Sequence, residues 1–488
     1  MSKNNTHTLD ARSKWTYSAG GIGRDMTYTF IDLFLMVYIQ FTIKLTPEQF
    51  MVLAGILVVY RIWDAVNDPI MGTIIENTRT KWGKFKPWIL IGAITNAIVV
   101  VLLFTVRLEG WAFIVFFAIT YLLWDLTFTM NDIAYWSMLP ALSKDEKSRI
   151  QLTSLVTIFA SIGAFTAGGL VPFFTTGNAI KAYQMFAIIF GTCFVLCQVM
   201  TVLGVRRKHD VVEVKDESVG LRKMLKVVFQ NKQLMWMSLV ILFYYLGSAL
   251  LNALGINFFY FEFGYTGINM TIFTVVYALG TIIAQIAYPF VAKLLNRNKI
   301  IILSFALIAI GYLLFSLVGY LPFLPKDIVV ISLIGMLIFS GQGLFYITTL
   351  IMLTNTIEYG EYMSGERNES ILFSLRPFMA KMSSALQQGI VALILIISGL
   401  YGLAQQIADF EELKALNQIG EEAFKQEVEI IVAQADDPMK LILRIGMTIL
   451  PLILITLAFL IIKKKYIIDE ETYRKMVTEI ESRKANKN

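Results

Sequence analysis

The stretch that decides the fold is Arg61–Gly72, which reads RIWDAVNDPIMG and lies in and just after an apolar run over residues 49–71. That run is long enough to cross a bilayer as a helix. On a helix, Arg61, Asp64 and Asp68 stand at positions i, i+3 and i+7, so their side chains project from one face. An ionised side chain in hydrocarbon costs at least about 2.5–3.5 kcal/mol, so this face must look into a polar cavity or onto partners.

The charges on this face have two interpretations. In the first, Arg61 forms an ion pair that only locks two helices together. One cation against two carboxylates then leaves a negative charge over. In the second, a bound cation completes the balance, and Asp64 and Asp68 belong to its site. We favour the second interpretation because it accounts for both carboxylates.

The composition is that of a membrane protein with many spans. The 488 residues are 56% apolar and only 16% charged, which excludes a soluble globular enzyme. No phosphate-binding loop and no nucleophile–base pair is visible, so we expect neither an enzyme nor transport driven by ATP hydrolysis. His7 and His209 lie outside the apolar runs, and Cys193 and Cys197, one turn apart, are predicted to be packing residues. No resident cofactor is expected.

Windows of about twenty apolar residues predict twelve transmembrane helices. They cover residues 17–42, 49–75, 87–106, 111–139, 150–175, 182–204, 234–262, 267–295, 299–321, 327–358, 369–400 and 439–463. A basic segment separates six spans from six, which is the plan of transporters built from two similar halves. The predicted fold is an all-α membrane protein with two six-helix halves. Its parts are an N-terminal bundle (1–204), a cytoplasmic middle loop (205–233), a C-terminal bundle (234–463) and a cytoplasmic tail (464–488).

Lysine and arginine are concentrated in alternate loops. These basic residues are Lys3, Arg12, Lys14, Arg79, Lys81, Lys84, Lys86, Lys144, Lys147, Arg149, Arg206, Arg207, Lys208, Lys215, Arg222, Lys223, Lys226, Lys232, Lys293, Arg297, Lys299, Lys463, Lys464 and Lys465. The positive-inside rule therefore places both termini in the cytoplasm, with the chain in the cell membrane. The net charge of +6 reflects this topology, and no nucleic-acid partner is expected.

The fourth span carries a polar stripe on an otherwise apolar helix. Asp125, Thr129, Asp132 and Trp136 stand at positions i, i+4, i+7 and i+11. An indole beside a carboxylate suits a sugar, whose C–H face stacks on the ring while its hydroxyls donate hydrogen bonds. A tryptophan that only packs at a helix interface is the alternative interpretation.

Acids outnumber bases within the predicted spans of the N-terminal half. Six acids (Asp25, Asp32, Asp64, Asp68, Asp125 and Asp132) face two bases (Arg24 and Arg61), an excess of four negative charges. Such an excess is costly unless cations bind or some acids hold protons. Either solution couples transport to an ion.

The C-terminal half is poorer in charge. Its candidates within a span are Arg376 and Lys381, beside Pro377, and we expect Lys381 to balance the acids across the cavity. Residues 403–437 are acidic and are predicted to form a short surface helix outside the cell with a solvated face. Residues 221–229 are predicted to form a short helix, either amphipathic on the inner membrane surface or a plain linker.

The residues that carry these charges resemble a known family. The run RIWDAVNDPIMGTIIENTRTKWGKFKPWILIG (61–92) is very similar to the segment joining spans 2 and 3 of the glycoside–pentoside–hexuronide:cation symporters, within the major facilitator superfamily. The melibiose permease branch is the most similar. GIGRD (21–25), FTMNDIAYWSMLP (128–140) and IEYGEYMSGERNES (357–370) support the resemblance, which extends over nearly the whole chain.

The resemblance implies roles for particular residues. The family's cation site falls on Asp64, Asn67, Asp68 and Thr129, whose oxygen atoms suit a hard cation such as sodium. Its sugar site falls on Arg24, Asp25, Asp132 and Trp136. Arg61 and Lys381 are the residues expected to couple the two sites and to balance the charge of the acids.

Three departures from the family pattern limit what is carried over. An arginine of the family's sugar site falls on Thr157, Asp32 and Asp125 are extra acids, and Arg376 is an extra base. These three charged residues are further candidates for the cavity. The resemblance therefore implies the cation site but not the identity of the sugar. The surplus of acid favours neutral glycosides, although Arg24, Arg376 and Lys381 could still hold a carboxylate.

The sequence thus predicts a sodium-coupled glycoside symporter that works as a monomer by alternating access. Protons and lithium are the other candidate coupling ions. Two alternatives stay open. One is a symporter driven by protons alone, and the other is a membrane-embedded sensor that binds sugar without carrying it.

Overall fold

The structure is a computed structural model of the 488-residue chain and describes residues 10–142, 146–205, 221–365 and 369–485. Within these residues the chain is helical, with no strand. The helices are α1 (Ala11–Thr42), α2 (Pro47–Asn77), α3 (Lys86–Thr105), α4 (Gly110–Leu142), α5 (Glu146–Thr175), α6 (Ala179–Gly204), α7 (Leu221–Gln230), α8 (Lys232–Phe263), α9 (Ile268–Leu294), α10 (Arg297–Leu317), α11 (Ile328–Ser364), α12 (Glu369–Ile397), α13 (Leu400–Ala415), α14 (Glu421–Ala433), α15 (Asp437–Arg444), α16 (Leu450–Lys465) and α17 (Glu470–Ala485). A π-helical turn (Ile445–Ile449) joins α15 to α16, so the two form one span.

Most of the predicted spans are visible as long apolar helices. In the described residues, ten helices are long and apolar enough to cross a membrane, and the bent helix α2 makes an eleventh. Helix α1 is not among them, but its 32 residues would reach about 48 Å and most of them are buried in the bundle. The predicted all-α membrane fold is confirmed, and α1 stands where the first of the twelve predicted spans was placed.

The long helices pack as two groups. Helices α1–α6 pack mainly on one another and form the N-terminal group, while α8–α12 with α15 and α16 form the C-terminal group. The groups meet along α2 and α12 and along α5 and α9. A short helix, α7, lies where one was predicted, whereas residues 206–220 of the predicted middle loop lie outside the described residues.

Glycines let α1 pack tightly between its neighbours. A Cβ atom at Gly23 would lie 2.7 Å from Cα of Phe194 in α6, and one at Gly163 in α5 would lie 2.2 Å from the carbonyl oxygen of Ile22. Real Cβ atoms do not approach so closely. The glycine-rich stretch of the first span therefore serves close helix approach rather than a local break, the two possibilities that the sequence left open.

Helix α2 begins with a capping box and bends within its charged stretch. The Thr46 hydroxyl accepts a hydrogen bond from the Gln49 amide at 3.3 Å, and the Gln49 side chain accepts one from the Thr46 amide at 2.9 Å. Further on, Pro69 lies inside the helix and cannot donate the usual backbone hydrogen bond. The parts Pro47–Asp64 and Asn67–Asn77 are inclined by 43°. The helix predicted for this stretch is therefore present, with a bend among its charged residues.

The two groups close on each other at the end of the bundle that carries α13 and α14, which we call the opposite face. The end that carries the start of α1 and the end of α16 is the terminal face. At the opposite face, a Cβ atom at Gly267 would lie only 1.6 Å from the Pro172 carbonyl oxygen. The Thr271 hydroxyl, on α9, donates to the Gly169 carbonyl of α5 at 2.8 Å. These contacts leave no room for a gap between α5 and α9.

Helix α13 belongs to this closure. Gln405 bonds the end of α1 three times, since its Nε2 donates to the carbonyls of Gln40 (2.9 Å) and Ile43 (3.1 Å) and its Oε1 accepts from the Leu45 amide (2.9 Å). The Tyr401 ring stacks on Phe50 of α2, with centroids 4.3 Å apart. The solvated face predicted for residues 403–437 is therefore wrong for one side of α13, where Gln405 bonds the N-terminal group, whereas Gln406 and Asp409 are exposed.

Candidate functional site

Lys381 of α12 holds the two acids of α2. Its Nζ lies 3.0 Å from Oδ2 of Asp64 and forms a second, short ion pair with Oδ2 of Asp68. One ammonium therefore sits between both carboxylates, and it joins the C-terminal group to the N-terminal group. Lys381 thus lies against both acids of α2, and the bend in α2 does not separate Asp64 from Asp68. Two carboxylates against one ammonium leave one negative charge in this cluster, which we call the α2 cluster.

Of the other two residues of the predicted cation site, Thr129 contacts the α2 cluster and Asn67 is buried without such a contact among the described residues. The Thr129 hydroxyl, from α4, donates to Oδ1 of Asp64 at 3.5 Å. Asn67 is buried, and its amide nitrogen has no hydrogen-bond partner among the described residues. The structure therefore brings together two carboxylates and a hydroxyl, which are hard oxygen donors of the kind that alkali cations accept. Within the described residues, no group of three or more His, Cys, Asp or Glu side chains could hold a metal ion.

Arg24 organises a second cluster between α1 and α4, which we call the Arg24 cluster. Its guanidinium lies 2.6 Å from Asp25 and 3.2 Å from Asp132, and it is buried while the two acids are 28% and 32% exposed. The guanidinium also lies 4.8 Å from the ring centroids of both Tyr135 and Trp136. One base between two acids again leaves one negative charge, this time with free carboxylate surface beside aromatic rings.

A second tyrosine, Tyr17, packs against the aromatic rings of the Arg24 cluster and holds them in place. Tyr17 of α1 stacks on Tyr135 of α4 with centroids 4.5 Å apart, and each hydroxyl donates to the backbone carbonyl of the other residue. Trp136 is 37% exposed, so part of its indole is open to a ligand. The bracing tyrosines were missed in the sequence analysis, although Tyr135 stands directly before Trp136 in the quoted motif.

Arg61 pairs with α1 and not with its own helix. Its guanidinium donates to Oδ1 of Asp32 at 2.9 Å, and the Ser384 hydroxyl of α12 lies 3.4 Å from the same oxygen. The pair therefore links α1, α2 and α12 beside the α2 cluster. This is the helix-locking role that the sequence offered as the first interpretation, but with Asp32 as the partner. Arg61 therefore does not neutralise Asp64 or Asp68, whose ion-pair partner is Lys381. Ser384 was not predicted, because a serine within a span gives no distinctive signal.

Asp125 and Arg376, the remaining candidates, lie in different places. Asp125 is buried in α4, one turn before Thr129, and its Oδ2 has no hydrogen-bond partner in the described part of the chain. Arg376 bonds the hydroxyls of Tyr245 (3.3 Å) and Tyr346, so it joins α12 to α8 and α11 within the C-terminal group. Neither contact places Arg376 in the α2 cluster or the Arg24 cluster. Thr157, where the family's sugar site has an arginine, is exposed and bonds only its own helix at Thr153.

Comparison with protein families identifies the chain. A family described as "MFS/sugar transport protein" matches residues 16–470, which is nearly the whole sequence. The chain belongs to this family. Its long apolar helices make it a multi-pass membrane protein.

Several relatives of this MFS/sugar transport protein have curated names. A lactose permease of Lactobacillus delbrueckii subsp. bulgaricus is 26% identical over 490 residues, which cover 96% of this chain and 72% of the relative. A raffinose carrier protein of Pediococcus pentosaceus is 27% identical, and 79% of this chain matches 62% of that protein. A glucuronide carrier protein homologue of Escherichia coli is 24% identical, with 96% of this chain and 95% of the relative covered. The predicted resemblance to glycoside–pentoside–hexuronide:cation symporters is confirmed, while melibiose as the sugar stays a prediction.

Solved structures share the fold of this MFS/sugar transport protein. A bacterial homologue of the human lysosomal transporter Spinster aligns with a TM-score of 0.61 over 95% of this chain and 97% of that one, at 12% identity. The nucleoside transporter NupG aligns with a TM-score of 0.55 over 90% and 99%, also at 12% identity. At such identities the likeness concerns the fold alone.

The Arg61–Asp32 pair yields a stability prediction. Arg61→Gln is expected to lower the free energy of unfolding by about 3 kcal/mol, because it leaves a carboxylate unpaired beside the acids of α2. We place the effect at the low end of the usual range because Asp32 is 25% exposed. Thermal unfolding of the purified protein measures it. The double variant Arg61→Gln/Asp32→Asn should recover most of the loss, and no recovery would show that the pair is not the cause.

Proposed function

We propose that this protein is a sodium-coupled symporter that carries a glycoside into the cell by alternating access. The observation that carries the proposal is the position of the Lys381 ammonium, a monovalent cation held between Asp64 and Asp68. Two carboxylates against one ammonium leave one negative charge in the α2 cluster, which a bound sodium ion would neutralise. Asn67 and Thr129 would be its further ligands. If Lys381 faced a single carboxylate, the two charges would balance, and no net negative charge would remain to attract sodium.

The Arg24 cluster would bind the sugar. Asp25 and Asp132 are held in place by a buried guanidinium, yet both keep accessible oxygen atoms. Sugar hydroxyls can donate to these carboxylates while a sugar ring stacks on the exposed part of Trp136. The names of the relatives make lactose, raffinose and glucuronides the first sugars to test, together with melibiose and other α-galactosides.

In this mechanism the N-terminal and C-terminal groups rock about the site. We propose that the terminal face is cytoplasmic, in accordance with the positive-inside rule, so the closed opposite face is the outer one. Sodium would neutralise the α2 cluster and weaken the hold of Lys381, which is an ion pair between the two groups. A ligand can shift the equilibrium between the inward-open and outward-open states only by its differential affinity for them. Sodium would shift it by weakening the ion pairs of Lys381 between the two groups. We expect the monomer to suffice.

Uptake into proteoliposomes that contain only this protein tests the proposal. Labelled sugars of the panel are offered at fixed pH, with and without an inward sodium gradient. Accumulation that requires sodium supports the proposal. Accumulation driven by a pH gradient without sodium identifies the proton-only symporter. Its proton would be carried by Asp64 or Asp68, or by the buried Asp125, whose Oδ2 has no hydrogen-bond partner among the described residues. Saturable binding without accumulation identifies a sensor.

A further inference from the structure

Helix α13 contains an acid that the transport mechanism does not use. Glu411 is only 1% exposed, although it lies outside the long apolar spans in a segment rich in acidic residues. Its neighbours in the chain behave differently, since Asp409 and Glu412 form ion pairs with Lys44 at 3.1 and 2.9 Å. One acid of this helix is therefore withdrawn from water while the acids beside it face cations.

The Glu411 carboxylate connects the two helix groups. Its Oε2 accepts a hydrogen bond of 2.9 Å from the backbone amide of Ala179, the first residue of α6 in the N-terminal group. Its Oε1 accepts a hydrogen bond of 3.0 Å from the hydroxyl of Tyr265, between α8 and α9 of the C-terminal group. Both oxygens are thus engaged at the point where the opposite face is closed. The start of α6 also favours a negative charge.

The cations nearest to Glu411 are engaged elsewhere. Lys414, one turn further along α13, pairs with Glu421 of α14 at 2.5 Å and lies over the ring of Phe424. From α14, Lys425 pairs with the same Glu421 at 3.3 Å. No cation contacts the Glu411 carboxylate among the described residues.

The remaining groups around Glu411 come from the other packed elements. On the side of α1, Lys44 and Arg107 both contact Glu412. From α6 and α8, the titratable groups near Glu411 are the phenols of Tyr183 and Tyr260. Helix α12 also packs against α13, and its last turn, up to Ile397, carries no charged residue. Hydrogen bonds, rather than ion pairs, therefore hold this carboxylate.

We propose that Glu411 is a proton-binding site that controls how firmly α13 closes the opposite face. Movement of the two groups apart must pull the carboxylate away from Ala179 or Tyr265 and expose it to water. The proton would come from the solution on the opposite face, which is the outer solution in the proposed orientation. The inference rests on the proposed alternating access, but its test requires no sugar transport.

The sign of the effect follows from burial. Desolvation in the closed state raises the pKa of Glu411 to about 7, and the hydrogen bonds from Ala179 and Tyr265 oppose part of that rise. In an open state the hydrated side chain returns to an ordinary pKa of about 4.3. The closed state therefore binds the proton more tightly. Its extra stability is fully present below the ordinary pKa and is lost as the pH rises through 7. We expect the closed-to-open ratio to fall about tenfold between pH 6 and pH 8, with most of the change below pH 7.

A distance measurement across the closure tests the proposal. Spin labels are attached at Lys181→Cys on α6 and Val329→Cys at the start of α11, two exposed positions in different groups, with Cys193 and Cys197 replaced by serine. Pulsed electron paramagnetic resonance then gives the proportions of short and long distances at pH 6 and pH 8. In the otherwise unaltered protein, the short-distance population should decrease as the pH rises.

Two further variants and a control make the outcome decisive. Glu411→Gln, which imitates the protonated acid, should stay closed with no pH dependence. Tyr265→Phe removes a hydrogen bond that favours the carboxylate, so it should move the titration to higher pH. Glu422→Gln, on the exposed start of α14, should behave like the unaltered protein. An unchanged pH response in Glu411→Gln, or a ratio in the unaltered protein that does not vary with pH, overturns the proposal. A protein with this pH response but no sugar uptake would contradict the proposed function alone.

Discussion

Asp68→Asn is expected to abolish the sodium dependence of sugar uptake and to weaken sodium binding by at least about 100-fold. The reason is the charge of the α2 cluster. Asp64 and Asp68 together oppose the single ammonium of Lys381, so the cluster keeps one negative charge for sodium. With asparagine at position 68, Asp64 and Lys381 balance each other. A carboxylate about 4 Å from a cation contributes roughly 4 kcal/mol at an effective dielectric constant of about 20, which exceeds the 2.7 kcal/mol of a 100-fold change.

The measurement is the initial rate of sugar uptake in proteoliposomes as a function of sodium concentration. Sodium binding is measured separately by calorimetry on the purified protein. Asp437→Asn is the matched control, because it is the same substitution at an exposed position at the start of α15. Sodium stimulation that survives in Asp68→Asn would rule out the α2 cluster as the cation site.

Asp132→Asn is expected to weaken sugar binding by about 100-fold while sodium binding in the absence of sugar is retained. In the Arg24 cluster this carboxylate lies 3.2 Å from the guanidinium and keeps accessible oxygens for sugar hydroxyls. Hydrogen bonds to a charged group contribute about 1.5–3 kcal/mol each, so losing the charge from two of them removes roughly 3 kcal/mol. Arg24 retains Asp25 at 2.6 Å, and the buried guanidinium is therefore not left unpaired.

Equilibrium binding of a labelled sugar, with sodium present at saturation, measures this effect. Calorimetric sodium binding to the same sample shows that the α2 cluster is intact, since the substitution lies outside it. Equal losses of sodium and sugar binding would indicate a general structural defect. Unaltered sugar affinity would show that the Arg24 cluster is a structural ion-pair network and not the sugar site.

The ion pairs show what a count of charged residues in the sequence can predict and what it cannot. The excess of acid over base in the spans was evident from the sequence, and so was Lys381 as a third base that could balance part of it. Each of the three bases pairs with its own acids, which leaves one acid in excess in the α2 cluster and one in the Arg24 cluster, while Asp125 stands outside these pairs. That distribution could not be read from the sequence, because Arg61 and Asp64 share a helix while Arg61 and Asp32 do not.

The sequence by itself determined the membrane fold, the positions of most spans and the acids that a polar cavity must accommodate. It could do so because the hydrophobic effect and the cost of a charge in hydrocarbon act on local stretches of chain. Only the tertiary structure decided which charges meet, where α2 bends and that one side of α13 packs against the N-terminal group. Ion pairs such as Lys381–Asp68 and contacts such as Glu411–Ala179 join residues more than 200 positions apart. Their partners depend on how helices pack against one another, a matter of side-chain shape and close approach that no local pattern records.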